Sequence, residues 1–519
     1  MNTLLLVAAL LAQVRYDDIL KSPNENWLTY AGDYGGKRHS PLKQVTVANA
    51  RNLVPKWVYA VEGAKKLEST PLVYDGILYV TNSNAVHALD ARTGRKIWMY
   101  RDEQAEGQRV NRGPAILGDR IYFVTTDCHL VALHRKTGAV LWQKRYADYK
   151  KGWFATVAPL AVKDMVIVGV GGGDTGIRGF VAALDAATGE ERWRFWTVPA
   201  KGEPGSETWS KPEAVEWGGG ATWLSGTYDP KLNMLLWTTG NPWPDFVTKD
   251  REGDNLYTNC LIALDVDSGK LKWHFQFTPH DTHDWDAQSW PIQADLRNAA
   301  TGQVQPVVVH PSRNGFLYVL DRATGKFLRA AKMLDKLDWA TGIDAQGRPI
   351  EVPGKVPTPG GTRTCPALRG GANWMSSSFN PETGLVYVPV LEQCDLYLAS
   401  QQDAKTMIGF MGTGGERPPT EPGQFFLRAF DPKTGQRVWE YPMTGPGTMW
   451  AGTVSTAGGV GLFRRRRRAS GSGRRTHGQA PMALRNVATA VGFAHHLHGG
   501  WEAIRHDLRG YPRVYLWFV

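Results

Sequence analysis

The sequence predicts an all-β fold made of repeated short antiparallel sheets. A phrase of the form Asp-x-x-Thr-Gly, followed four residues after the Gly by a bulky side chain, occurs six times with small variations. The 57 Gly and 21 Trp suit short strands and tight turns, and no stretch has the periodicity of a long amphipathic helix. A repeat whose length matches one four-stranded sheet is typical of a β-propeller.

The six copies of the phrase mark the blades of this propeller. The Asp carboxylate caps a turn, the Gly supplies a positive φ, and the Trp is an apolar anchor that docks one blade on the next. The copies are Leu89-Asp90…Thr93-Gly94…Trp98, Leu133-His134…Thr137-Gly138…Trp142, Leu184-Asp185…Thr188-Gly189…Trp193, Leu264-Asp265…Ser268-Gly269…Trp273, Leu320-Asp321…Thr324-Gly325…Arg329 and Phe430-Asp431…Thr434-Gly435…Trp439.

The spacing of the copies favours one large propeller over several ordinary domains. Successive Asp positions are 44, 51, 80, 56 and 110 residues apart, counting His134 as one of them. The last step is about twice a blade, so the spacing predicts a degenerate blade between Asp321 and Asp431.

The N-terminus and the cysteines bear on where the protein works. Residues 4–12 are an apolar run that ends in Ala-Ala-Leu-Leu-Ala, as a secretory signal can, although the run lacks a positively charged start. It is too short to span a bilayer. We therefore predict a signal peptide at residues 1–12, a periplasmic location and no integral membrane segment, with a plain apolar N-terminus as the alternative. Cys365 and Cys394 flank one predicted hairpin and could pair in an oxidising compartment, while Cys128 and Cys260 look like single strand residues. No Cys-x-x-Cys-His motif for covalent haem is present.

The C-terminal segment differs from the rest of the chain in its charge. Residues 464–519 contain eleven Arg, no Lys and two acidic residues, in a chain whose net charge is +11. Such a run is typical of nucleic-acid-binding tails. We favour a shifted reading frame instead, and we expect no nucleic-acid partner.

The hypothesis rests on dropping one base from the codon of Gly461, which gives the residues after Val460 a different reading. With synonymous codons the Arg run becomes an Asp run, and the shifted frame contains another Asp-Ala-x-Thr-Gly…Trp phrase where the next blade is due. We therefore predict a propeller over residues 13–460, an out-of-frame tail over residues 461–519, and a last blade that is missing or disrupted. Codons that forbid this shifted reading would contradict the prediction.

Several polar segments between the repeats do not follow the blade pattern. The glycine-rich residues 171–180 contain Asp174, residues 218–223 end in Trp223, and residues 239–242 contain Asn241. Each has an ordinary structural explanation as a turn, a docking Trp or a cap, but glycines also let a flat ligand or an ion approach the backbone.

The densest polar segment is residues 278–286, with three Asp and two His within seven residues. These groups would repel or titrate one another unless a cation lies among them. Zinc bound by His280 and His283 is one alternative, disfavoured because no thiol or third His is near in sequence. Carboxylates with an Asn amide better suit a hard cation that prefers oxygen.

These motifs resemble those of the pyrroloquinoline quinone (PQQ)-dependent alcohol dehydrogenases, an eight-bladed quinoprotein family that includes methanol and ethanol dehydrogenases. The resemblance covers roughly residues 26–460 and is most specific at Asp284-Trp285-Asp286 and Gly240-Asn241-Pro242. It implies an eight-bladed propeller, PQQ, and either Ca²⁺ or a lanthanide ion.

The resemblance also implies roles for particular residues. The metal ligands would be Asp174, Asn241 and Asp284, with Asp286 matching an additional acid of the lanthanide-using branch. Asp174 is shorter than the Glu of many relatives, and Glu106-Gly107 stand where many have a Cys pair. The implied cofactor contacts are Glu68, Arg112, Thr156, Trp223, Arg313, Asn373, Trp374 and Trp450.

The implied reaction is metal-assisted oxidation of a small alcohol to an aldehyde or ketone. Asp284 would act as general base, and Arg313 would polarise the quinone carbonyls. Electrons would pass to a separate acceptor such as a soluble cytochrome c. The alternatives are a non-enzymatic propeller scaffold and an inactive, truncated member of the family.

Overall fold

The computed structural model describes residues 13–247, 249, 251–298, 300–400, 414–417, 421–443, 452–462, 487–488, 493–494 and 514–518. Most of them lie in short antiparallel strands, as predicted. Among these residues, no helix is long and apolar enough to cross a membrane. The described helices are the α-helix Tyr16–Leu20 and the 3-10 helices Ala50–Asn52, Tyr149–Lys151, Gly173–Thr175, Ser206–Thr208 and Pro212–Glu216.

Within the described residues, six four-stranded antiparallel sheets, which we number as blades 1 to 6, account for most of the strands. Blade 1 is Leu72–Tyr74, Ile77–Asn82, Ala85–Asp90 and Lys96–Arg101, and blade 2 is Ala115–Leu117, Arg120–Val124, His129–His134 and Val140–Arg145. Blade 3 is Leu160–Val162, Met165–Gly169, Phe180–Asp185 and Glu191–Trp196, and blade 4 is Thr227–Asp229, Met234–Thr238, Cys260–Asp265 and Leu271–Gln276. Blade 5 is Ile292–Arg297, Val304–Pro311, Phe316–Asp321 and Phe327–Lys332, and blade 6 is Ser378–Asn380, Leu385–Glu392, Gln424–Phe430 and Arg437–Met443.

Burial changes from the inner to the outer strands of a blade. In blade 3, every residue of Met165–Gly169 is buried, and so is Phe180–Asp185 apart from its last residue. The outer strand Glu191–Trp196 is mostly exposed or half-buried, with Trp193 as its buried residue. Neighbouring blades cover both faces of the inner strands, so these strands are continuously apolar rather than alternating.

The predicted docking of Trp side chains between blades is confirmed. A Cβ added to Gly138 in the turn of blade 2 would lie 2.6 Å from Trp98 of blade 1. The Trp98 indole also donates to the carbonyl of Arg135 at 3.0 Å. The turn glycine therefore supplies both the left-handed backbone and the flat surface on which the Trp of the preceding blade lies.

The same contact recurs around the ring, with two informative variations. Trp57 lies on Gly94 of blade 1 and donates to the carbonyl of Ala91 at 3.1 Å, so the strand Trp57–Val61 takes the place of a preceding blade. In the fifth copy, where Arg329 replaces Trp, its guanidinium donates to the carbonyl of Pro432 in the blade 6 turn at 2.9 Å.

Two further sheets join the N-terminal region to C-terminal strands. The first pairs His39–Ser40, Val454–Thr456, Gly461–Leu462 and Val487–Ala488, and the second pairs Trp57–Val61, Val514–Phe518 and Phe493–Ala494. Such pairing does not reveal which frame a segment was translated in. The division at residues 12 and 460, the disrupted last blade and the count of eight blades therefore stay predictions.

The long interval between the last two repeat copies was predicted to contain a degenerate blade. Its described part instead contains an excursion, meaning two small sheets outside the blades. One element is a hairpin of Ala340–Ile343 and Pro349–Glu351, and the other is a three-stranded sheet of Thr362–Thr364, Asp395–Ala399 and Gly414–Arg417. A disulfide between Cys365 and Cys394 ties this excursion together, as the hairpin reading predicted. Cys128 and Cys260 are buried and are not part of a disulfide.

Candidate active site

Most of the functional residues predicted from the sequence belong to loops at one end of the blades. In an antiparallel blade, the link from strand two to strand three and the link to the next blade lie at the same end. The repeat turns, between strands three and four, lie at the opposite end. Asp174 and Asn241 belong to strand-two-to-three links of blades 3 and 4, and Asp284 lies between blades 4 and 5. Blade topology thus gathers residues that are far apart in sequence.

These loops line a cavity of about 540 Å³. Its wall combines acidic, basic, aromatic and glycine residues. The lining residues are Lys65, Lys66, Glu68, Ser83, Gln108, Arg109, Val110, Arg112, Phe154, Thr156, Gly172, Gly173, Asp174, Ala221, Trp223, Asn241, Asp284, Asp286 and Arg313.

Carboxylates are concentrated at one end of the cavity. One oxygen each of Asp174, Asp245 and Asp284 lies within 4.8 Å of the other two. Asp245 was not predicted from the sequence. It follows Asn241 by four residues, in a turn where an Asp ordinarily caps the backbone, so no spacing rule singled it out.

Asp286 lies beside this group and is held by three donors. The backbone N–H of Asn241 donates to its Oδ1 at 2.7 Å. Its Oδ2 accepts from the Trp223 indole at 3.2 Å and from Arg313 Nη1 at 2.9 Å. Asp286 therefore joins the Gly-Asn-Pro loop, the Trp223 ring and the arginine.

Asp284 is held differently. Its φ of +56° is in the left-handed region, which Asp tolerates better than most residues do. Asp281 fixes this turn, because its carboxylate accepts from the N–H of His283 at 3.0 Å and of Trp285 at 2.8 Å. The Asp284 carboxylate, in a residue only 8% exposed, has no hydrogen-bond donor among the described residues, and Arg313 Nη2 is 3.7 Å away.

Burial dominates the electrostatics at this end. It raises the pKa of Asp174 to about 6, and the nearby Asp286 carboxylate adds to the rise. Burial likewise raises the pKa of Asp284 well above its ordinary value, although the Arg313 guanidinium opposes the rise. The pKa of Asp286 is also raised by burial. A cation among these groups would favour their ionised forms.

The other end of the cavity is basic. Arg112 Nη2 donates to Glu68 Oε2 at 2.8 Å, and Nη1 donates to Thr156 Oγ1 at 2.6 Å. The guanidinium lies over the Trp223 ring, 4.6 Å from its centroid, and 5.3 Å from that of Trp374. Since the Trp223 indole contacts Asp286, its ring connects the basic end to the acidic end.

Most of the predicted site residues therefore meet in one cavity. Trp374 contacts Arg112, whereas Asn373 lines a separate, smaller and mostly apolar pocket. Trp450 lies outside the described residues. Arg109 and Ser83 line the cavity although their sequence context gave no motif that could have identified them.

The two histidines of residues 278–286 are not arranged as zinc ligands. His280 Nδ1 contacts the carbonyl of Gly253 at 2.7 Å, and His283 Nε2 contacts that of Lys355 at 2.9 Å. Neither belongs to the acidic cluster found among the described residues. The zinc alternative therefore has no support in the geometry.

Comparison with known proteins places the chain in a family. The family model of the β-propeller domain of PQQ glucose, ethanol and alcohol dehydrogenases matches residues 27–332. Quinoprotein alcohol dehydrogenase PedH of Pseudomonas putida is 36% identical, over 89% of this chain and 82% of PedH. The chain therefore belongs to the PQQ-dependent alcohol dehydrogenases.

Solved structures show the same relationship. The crystal structure of quinohemoprotein alcohol dehydrogenase from Comamonas testosteroni matches with a TM-score of 0.77 and 34% identity, over 84% of this chain and 69% of that one. A europium-containing methanol dehydrogenase matches with a TM-score of 0.75 and 33% identity, over 84% of this chain and 81% of that one. The all-β propeller predicted from the repeat is thus confirmed.

Proposed function

We propose that this chain oxidises a small alcohol to an aldehyde or ketone, with PQQ as redox cofactor and Ca²⁺ or a lanthanide ion beside it. The observation that carries the proposal is the polarised cavity. Buried carboxylates occupy one end, an Arg-Glu-Thr cluster occupies the other, and the Trp223 ring lies between them.

The acidic end fits a hard cation. Asp174, Asn241, Asp284 and Asp286 would hold it through oxygen atoms, the ligand type that Ca²⁺ and similar ions prefer. The Asp284 carboxylate is the observation that fits best: it is buried, it accepts no hydrogen bond from the described residues, and it shares Arg313, 3.7 Å away, with Asp286. A bound cation would offset this buried charge, which is costly to leave incompletely paired.

The basic end fits a planar, anionic quinone. Arg112 and Thr156 offer donors to carboxylate groups, and Trp223 offers a ring face. Glu68, Asn373 and Trp374 would complete the contacts within the described residues, and Trp450 would add one beyond them. A cavity of about 540 Å³ is in the usual range for such a ligand.

The reaction uses few groups of the chain. When bound, the quinone supplies the hydride acceptor and the cation supplies Lewis-acid polarisation. Asp284 accepts the proton of the substrate hydroxyl as general base. Arg313, which contacts Asp286 and lies 3.7 Å from Asp284, keeps a positive charge beside that proton acceptor.

The cellular setting follows from the same chemistry. Without a covalent haem motif on this chain, a soluble cytochrome c is the proposed electron acceptor. The proposed compartment is the periplasm, which the Cys365–Cys394 disulfide supports because such bonds persist in oxidising environments.

The test is reconstitution with PQQ and either Ca²⁺ or La³⁺, followed by dye-linked oxidation of ethanol. We expect turnover with one of the ions after the C-terminal segment is restored to the predicted frame. The present chain should be less stable and bind PQQ poorly, because its last blade is predicted to be disrupted. Absence of turnover with both ions in the restored protein would reject the enzyme in favour of a scaffold.

A further inference from the structure

We propose that Asp245 is an additional residue of the metal centre, where its carboxylate binds a trivalent cation together with Asp174 and Asp284. The inference rests on the proposed function and deepens it. Carboxylate oxygens of these three residues lie within 4.8 Å of one another. Asp245 is fully buried, and Asp284 is nearly so.

The hydrogen bonding of Asn241 supports a second role for Asp245. Asn241 Nδ2 donates to Asp245 Oδ1. Since a carboxylate accepts and cannot donate, this contact fixes which side of the amide carries nitrogen. The amide oxygen of Asn241 then faces the glycine loop, because a Cβ added to Gly173 would lie 3.7 Å from Asn241 Oδ1. Asp245 thus orients the Asn241 oxygen toward the loop that carries Asp174.

Arg251 connects the backbone at Asp245 to the loop that carries Asp284. This fully buried guanidinium donates to the carbonyls of Pro244 at 2.8 Å and Asp245 at 3.1 Å. It also donates to the carbonyl of Asp281 at 2.6 Å. One side chain therefore ties both acidic loops together, so the position of Asp245 is fixed by the fold.

The charge count favours a trivalent ion. Arg313 lies 2.9 Å from Asp286, so these two charges offset each other. Three carboxylates then remain, at Asp174, Asp245 and Asp284, and a bound cation would favour their ionised forms. The Asp284 carboxylate has no hydrogen-bond donor among the described residues, and it lines the cavity. Because Coulomb attraction scales with ion charge, an extra carboxylate favours a lanthanide over Ca²⁺.

The experiment is a Tb³⁺ titration of the full chain, with emission excited through Trp and with Ca²⁺ and La³⁺ as competitors. D245N keeps an oxygen acceptor for Asn241 but removes the charge, whereas D245A removes both. For D245N we expect the Kd for Tb³⁺ to rise about 10- to 100-fold, and the Kd for Ca²⁺ to rise less. D245A should weaken both ions further.

Two other variants make the result decisive. D284N removes a proposed metal ligand, and D265N is the matched control in a repeat turn of blade 4. If D284N abolishes Tb³⁺ binding while D245N leaves the Kd and the ion preference unchanged, Asp245 is not part of the centre and the proposed function stands. If the unaltered chain binds no Tb³⁺, or D284N binds it normally, the metal site and the role of Asp245 are both wrong.

Folding is checked by near-ultraviolet circular dichroism and Tm. Should D245N lose its fold, D245E retains the carboxylate. Binding by D245E within a few-fold of the unaltered chain would support the charge-based role, and loss of binding in a folded D245E would overturn it.

Discussion

Aspartates at the two ends of the blades behave in opposite ways. In the repeat turns, Asp90 Oδ1 accepts from the N–H groups of Arg92 and Thr93 at 3.0 and 2.9 Å, and Asp185 does the same within its own turn. These backbone donors all lie within three residues of the Asp that accepts from them. At the cavity end, Asp284 and Asp286 depend on residues from other blades and loops, and Arg313 is the cation they share.

The pKa values of these aspartates follow the difference. The hydrogen bond from Arg192 lowers the pKa of Asp185 to about 2, and local donors also lower that of Asp90. Burial raises the pKa of Asp174 to about 6. In an exposed turn, nearby N–H donors and solvent stabilise the charged form of the carboxylate. A carboxylate removed from solvent needs a cation for the same stabilisation.

One end of the blades is therefore stabilised by local contacts, and the other end by long-range contacts. The repeat turns should therefore tolerate substitution with small, independent losses of stability. Substitutions in the cavity loops should cause larger losses of function or stability, because side chains such as Arg251 and Arg313 each contact more than one residue there.

The largest expected effect is at Asp284. Asp284→Asn should lower kcat of the frame-restored enzyme about 100- to 10,000-fold, since the general base is lost. Dye-linked alcohol oxidation measures this. Asp265→Asn, in a repeat turn, is the matched control and should retain kcat. Full activity of the Asp284 variant would reject the base assignment.

The next effect is at Arg251. Arg251→Met leaves the carbonyls of Pro244, Asp245 and Asp281 without this donor, at a cost of about 1–3 kcal/mol for each buried group left unpaired. Thermal unfolding should show a clear fall in Tm. A Tb³⁺ titration should show weaker binding. Arg192→Met, which breaks an exposed bridge to Asp164 and Asp185, should cost no more than about 1 kcal/mol. Equal losses would contradict the comparison.

The third effect is a pH dependence of stability that comes from the buried His310 ring. Burial lowers the pKa of His310 to about 3, so the folded protein leaves this ring neutral while the unfolded chain protonates it below its ordinary value of 6.5. Its contribution to stability is full above that pH and is lost as pH falls toward 3. The slope is at most about 1.4 kcal/mol per pH unit. His310→Phe, which keeps the stacking on Phe277, should flatten denaturation profiles between pH 6.5 and 4.5. An unchanged profile would show that His310 is protonated in the folded state.

The smallest effect is at a repeat turn. Asp185→Ala should lower the free energy of unfolding by about 1 kcal/mol, as the loss of a capping side chain usually does. Activity and Tb³⁺ affinity should be unaffected. Denaturant unfolding measures the loss, and a change in metal affinity would mean that the two ends are coupled.

Much of the fold and part of the site could be predicted from the sequence. The repeat located all six described blades and the Trp docking, because each copy carries its own turn and anchor. Resemblance brought together Asp174, Asn241 and Asp284, whose motifs are short and distinctive. Asp245 was missed because an Asp in a turn ordinarily caps the backbone, and because Asp174 and Asp284, which lie near it, are distant in sequence. The described part of the interval before Asp431 holds a hairpin and a three-stranded sheet rather than a further blade, since length alone does not specify strand pairing.

What the sequence determined by itself is local: where a turn forms, which Gly takes a positive φ, and which Trp faces a neighbouring blade. Such features depend on groups a few residues apart. Tertiary structure alone decided that four carboxylates gather at one end of the cavity, that Arg313 lies closer to Asp286 than to Asp284, and that Arg251 joins two loops. The reason is physical, because burial and Coulomb interactions depend on distances in space that only the packed ring of blades defines.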